Sequence, residues 1–171
     1  MERFKKLFLI AVLLLISMPM SGQGVSKGYR GFVDIGYTIG VGDCDNGRFE
    51  ITTTHGYQAL PWLFIGGGMG INRWSGNLDA TSTPLFGVIR FDVPFGGKFS
   101  PFVDFKIGGN LGDMRGFYFH PSIGGRFSLN EKCGLSLAVG YTLQKARVYW
   151  RDVEWTIENF GGISIKAGLD F

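Results

Sequence analysis

His120 and Ser122 stand two residues apart around Pro121, and a histidine beside a serine hydroxyl is the pairing that activates a nucleophile for acyl transfer. Such a site also needs an acid to orient the imidazole. No acid falls at a suitable position, Glu131 being down in a predicted turn, so packing is the simpler use of the pair. The other chemistry-bearing residues are as sparse. Of the two cysteines, Cys44 lies between Asp43 and Asp45, a weak cation cluster better read as a solvated polar loop. Gly66-Gly67-Gly68 lacks the strand-to-helix context of a phosphate loop. The expectation from these residues is a non-enzyme without cofactor or metal.

A larger set of side chains has more to say. Arg30, Asp34, Glu50, Arg90, Asp92, Asp104, Lys106, Arg126, Lys166 and Asp170 all share one face by parity, opposite the apolar positions of their segments. Five are basic and five acidic. If that face is interior, these charges must pair, because an isolated buried charge is very costly.

The segments that position them alternate with period two. Counting back from Phe171, Leu169, Ala167, Ile165 and Ile163 form one face, against Asp170, Gly168, Lys166, Ser164 and Gly162. The same pattern predicts eight strands at about 28–40, 48–57, 63–72, 84–93, 101–112, 116–129, 135–144 and 161–171. Short turns are expected at 58–62, held by Pro61, at 94–100 and at 130–134. Longer loops are expected at 41–47, 73–83, 112–116 and 145–159. An even strand number, segments near ten residues, and alternating short and long connections fit a transmembrane β-barrel.

Composition agrees with that class. The chain holds 28 glycines, 15% aromatic and only 18% charged residues. Mean hydropathy is +0.14, part of it from the N-terminus. There Arg3, Lys5 and Lys6 precede an apolar run from Leu7 to Ile16 and a small-residue end at Ser21-Gly22, the layout of a cleavable signal peptide. Residues 1–22 are therefore assigned to a signal peptide and 23–171 to one barrel domain. No cluster of Lys and Arg interleaves with aromatics in the mature chain, which argues against a nucleic-acid partner.

A barrel of eight strands is wide enough only for its own side chains, so the ten charges predict a plugged lumen. His120 and Ser122 turn into that lumen. Cys44 and Cys133 fall at opposite ends of a barrel about 25 Å tall, too far apart for a disulfide. Tyr29, Tyr57, Trp62, Trp74 and Tyr141 lie at or near strand ends, where amphipathic rings prefer the lipid–water boundary. The last loop keeps some β character and could rise as a hairpin presenting Trp150, Arg151 and Trp155 as a surface-binding patch.

The stretches THGYQ (54–58), SPFVDFKIGG (100–109), GFYFHPSIGGRF (116–127) and GLSLAVGYTLQKA (134–146) resemble the small outer-membrane β-barrel proteins of bacteroidete-type bacteria. They resemble more loosely the OmpX- and OmpA-type eight-stranded barrels. The resemblance implies an all-β, antiparallel, up-and-down barrel in the outer membrane of a Gram-negative cell, with both termini periplasmic. It implies as partners outer-membrane lipid, lipopolysaccharide and the barrel assembly machinery, with a monomeric barrel and Phe171 as the assembly signal. With no further domain after Phe171, an OmpA-like cell-wall anchoring role loses support. The expected function is a structural or surface-interaction role. The alternatives are a lipid-modifying enzyme resembling lipid A deacylases, or a soluble lipocalin-like binder with its apolar face turned inward.

Overall fold

The computed structural model describes residues 27–41, 46–75, 80–93, 97–130, 133–150 and 153–171, with the backbone alone described from 145 to 160. Eight strands follow in order: β1 (Gly28–Val41), β2 (Arg48–Leu60), β3 (Leu63–Trp74), β4 (Thr81–Asp92), β5 (Phe99–Gly112), β6 (Arg115–Ser128), β7 (Gly134–Trp150) and β8 (Val153–Asp170). Each pairs antiparallel with its sequence neighbours, and β8 closes on β1. The register is staggered. Following partners from Gly28 through Gln58, Phe64, Arg90, Asp104, Ser122, Gly140 and Ser164 returns to β1 at Thr38, ten residues further on. That shear tilts the strands and closes the sheet without a free edge.

The faces are inverted relative to a soluble barrel. Val33, Ile35, Ile51, Ile107, Val139 and Ile165 point outward and are exposed. Arg30, Asp34, Glu50, Asp104 and Lys166 are buried inside. A soluble lipocalin-like arrangement, with apolar residues turned inward, is thus excluded for this barrel.

Several predicted boundaries move. The turn between β2 and β3 shrinks to Pro61 and Trp62, so Gln58 joins a strand and its side chain is buried. The expected loop at 112–116 is only Asp113 and Met114, with Gly112 at φ 99° immediately before it. A side chain at Gly112 would be strained by that φ and would also meet the Thr81 carbonyl oxygen at 2.8 Å. The 145–159 loop is largely strand, since β7 and β8 run 17 and 18 residues and continue as a hairpin. The proposed signal peptide (1–22) and Cys44 lie outside the described residues.

Trp74 corrects the reading of the aromatic boundary. It sits at an even position of β3 and is buried inside the barrel, with the Arg48 guanidinium 4.9 Å from its ring centroid. Tyr29, Tyr57 and Tyr141 are exposed on the outward face, and Trp62 stacks on Phe91 with ring centroids 6.2 Å apart.

Candidate functional site

All ten charged residues singled out by parity are buried in the barrel interior, and strand stagger sorts them by height. Heights are counted from the lower end, which carries the Pro61–Trp62 turn and Phe171. Near that end Arg30 reaches two strands at once. Its Nη1 donates to Asp92 Oδ2 at 2.6 Å and its Nη2 to Asp170 Oδ2 at 2.6 Å. Arg126 Nε donates to the same Asp170 oxygen at 2.5 Å. Gln58, reclaimed from the predicted turn, accepts from Arg30 Nη1 at 2.7 Å and donates to the Leu60 carbonyl at 2.9 Å. The result is a chain from Asp92 through Arg30 and Asp170 to Arg126, crossing the lower lumen.

Above it lies a mixed layer of rings and charges. The Arg90 guanidinium sits 4.1 Å from the Phe32 centroid and 4.0 Å from that of Phe102, sandwiched between the two rings. Its Nη2 donates to Asp104 Oδ2 at 2.8 Å, while Ser122 Oγ donates to Asp104 Oδ1 at 2.5 Å. Phe32 meets Phe64 edge-on at 4.9 Å, and Phe86 lies 5.8 Å from Tyr118. Lys106 Nζ pairs with Asp34 Oδ2 at 3.2 Å and stands 5.4 Å from the Phe86 ring. Cations here are held by a carboxylate on one side and ring faces on the other, which spreads the cost of burying them.

The upper layer centres on Glu50. Arg48 Nε and Thr38 Oγ1 donate to its Oε1 at 2.5 and 2.7 Å, and Lys166 Nζ lies 2.6 Å from its Oε2. Arg48 Nη1 also donates to Gln144 Oε1 at 3.2 Å. Arg48 was absent from the parity set, although its even position two residues before Glu50 carries the same signal. It makes the described buried charges six basic (Arg30, Arg48, Arg90, Lys106, Arg126, Lys166) against five acidic (Asp34, Glu50, Asp92, Asp104, Asp170).

His120 and Ser122 both face the lumen and are buried, yet they do not partner each other. His120 Nε2 lies 2.7 Å from Ser164 Oγ, and Ser122 is committed to Asp104. The serine hydroxyl is thus bonded to a carboxylate and the imidazole to Ser164, rather than to each other. Of the surface patch, Arg151 lies outside the described residues. Trp150 and Trp155 fall in β7 and β8, where only the backbone is described. Cys133 is a free, half-buried thiol at the lower end, its N–H donating to Asn130 Oδ1 at 2.6 Å. Phe171 adds one more backbone rung beyond β8, its N–H donating to the Gly31 carbonyl at 2.9 Å and its carbonyl accepting from the Gly31 N–H at 2.7 Å.

No family model and no curated protein sequence matches the chain. Solved structures do. Neisserial surface protein A (NspA) superposes with a TM-score of 0.67 at 12% sequence identity, over 85% of this chain and 97% of its own. A de novo designed transmembrane β-barrel superposes with a TM-score of 0.54 at 15% identity, over 88% of this chain and 98% of its own. The likeness at such low identity lies in the architecture, and this chain has the fold of small membrane-spanning barrels.

Proposed function

We propose that the protein is an integral outer-membrane β-barrel whose interior is closed by its own side chains, and that it serves a structural or surface-interaction role without catalysis. The observation carrying this reading is the division of the two faces, with interior charges paired across the lumen and apolar side chains exposed outside. An exterior of that kind is stable against hydrocarbon, and an eight-stranded interior leaves no room for an aqueous path. The basic start and apolar run within residues 1–22 support export by a cleavable signal, with both termini then periplasmic. The lipid-modifying alternative finds no support at His120 and Ser122, which face away from lipid.

The test is reconstitution of the purified barrel into planar bilayers. The expected result is heat-modifiable migration in gels, marking a folded barrel, together with no steady conductance. A large, steady conductance from the folded form would overturn the closed interior.

A further inference from the structure

The chain's other histidine points outward. His55 on β2 is exposed on the face that is otherwise apolar, glycine or tyrosine away from the upper strand ends, and Thr53 beside it is the other exception among the described residues. Tyr29 Oη lies 2.5 Å from His55 Nδ1, and Thr53 Oγ1 lies 2.9 Å from His55 Nε2. The Phe171 ring flanks the imidazole at 6.3 Å between centroids, lying across Gly31 where a Cβ would meet it at 2.7 Å. Tyr29 and Tyr57 are direct cross-strand partners one step closer to the lower end, so this cluster sits where tyrosines mark the edge of the apolar band.

Proton counting shows what the cluster lacks. A neutral imidazole, a phenol and a hydroxyl carry three polar hydrogens, and the two internal hydrogen bonds use two of them. One donor is left over, on Thr53 in one tautomer or on Tyr29 in the other. At the edge of the apolar band this leftover donor is available to an acceptor oxygen from outside the protein. Membrane phospholipid supplies such oxygens in its phosphate and ester groups at this depth. The adjoining surface has room for the rest of the molecule. Gly67 faces His55 across β3 and Gly87 faces Gly67 across β4. A Cβ on Gly67 would meet only the Phe86 carbonyl oxygen, at 3.4 Å, and one on Gly87 nothing nearer than 3.9 Å. The outward glycines Gly31 and Gly125 are instead covered by the rings of Phe171 and Phe99. Acyl transfer is a poorer reading, because the strand N–H groups around His55 face the β1 and β3 ladders and leave no free pair to hold an oxyanion.

We propose that Tyr29, His55 and Thr53 bind the phosphodiester region of one phospholipid, with an acyl chain lying over Gly67 and Gly87. This rests on the membrane-spanning reading above. The test is native mass spectrometry of the folded barrel released from vesicles of phosphatidylethanolamine and phosphatidylglycerol. Wild type should retain one phospholipid, and His55→Phe and Tyr29→Phe should each lower retention about fivefold, the worth of roughly one hydrogen bond. Ile123→Leu, outward on β6 across the barrel from β2, should leave it unchanged. Thr53→Val replaces either variant that loses heat-modifiable migration. Equal retention by wild type and His55→Phe, or equal retention of diacylglycerol, would overturn the site. Full displacement by millimolar inorganic phosphate would make it a free-phosphate site and overturn the lipid assignment. A wild-type barrel that fails to insert into the vesicles sinks the membrane reading instead, whereas insertion without retained lipid sinks only this inference.

Discussion

Asp170 shows what single residues do in this barrel. Its carboxylate accepts from Arg30 at 2.6 Å and from Arg126 at 2.5 Å, and all three side chains are buried. Removing one member of a buried pair leaves an uncompensated charge, so Asp170→Ala should lower the unfolding free energy by about 3–5 kcal/mol. The double variant Asp170→Ala/Arg126→Ala should cost less than the sum of the singles, because both lose the same contact. Urea titration of vesicle-embedded protein measures both, and strict additivity would show the pair to be uncoupled. The sequence could place Asp170 on the interior face because alternation assigns parity. It could not pair it with Arg30, 140 residues away, because parity says nothing of height and height depends on how eight strands stagger. Arg48 shows the complementary case. Its parity already places it on the interior face with Glu50, and the structure adds it to the ten charges by bonding it to Glu50 and Gln144.

At the level of elements, neighbours decide where alternation remains readable. β6 pairs with β7 only as far as Arg147, and β1 pairs with β8 only as far as Gly161. Beyond those residues β7 and β8 pair only with each other among the described residues, and their register shifts between Val148 and Trp150. A two-stranded ribbon with no third strand carries no demand for one apolar and one polar face, so the pattern there blurs and 145–159 resembles a loop. The turn at Pro61 misled for a different reason. Pro61 does mark the turn, but Gln58 and Leu60 remain paired across a bulge, a distinction that residue type does not encode. The hairpin tip should therefore be dispensable to the fold. Replacing 148–156 with an Asn-Gly turn is expected to preserve heat-modifiable migration and to shift unfolding free energy by no more than about 1 kcal/mol. Loss of the folded gel form would show that the ribbon helps close the barrel.

On the scale of the whole molecule, the solvent outside the barrel is the quantity to test. Ile35, midway along β1, and Val41, at its upper end, are both outward and about equally exposed, at 50% and 48%. Exposure alone therefore predicts the same outcome for a charge at either position. In water an outward arginine at either site would change stability by no more than about 0.5 kcal/mol. In a bilayer the cost depends on depth, about 2–4 kcal/mol for arginine near the midplane and falling to about 0–1 near the interface. Ile35→Arg should then destabilise the vesicle-embedded barrel by a few kcal/mol while Val41→Arg is nearly silent. Equal and small effects would mean that the exposed apolar face meets something other than hydrocarbon. The same measurement bears on the interior, because a barrel that tolerates arginine at Ile35 has lost the reason for placing its charges inside. The inward network and the outward apolar band are two consequences of one constraint, and depth-dependent cost at Ile35 is where that constraint is directly measured.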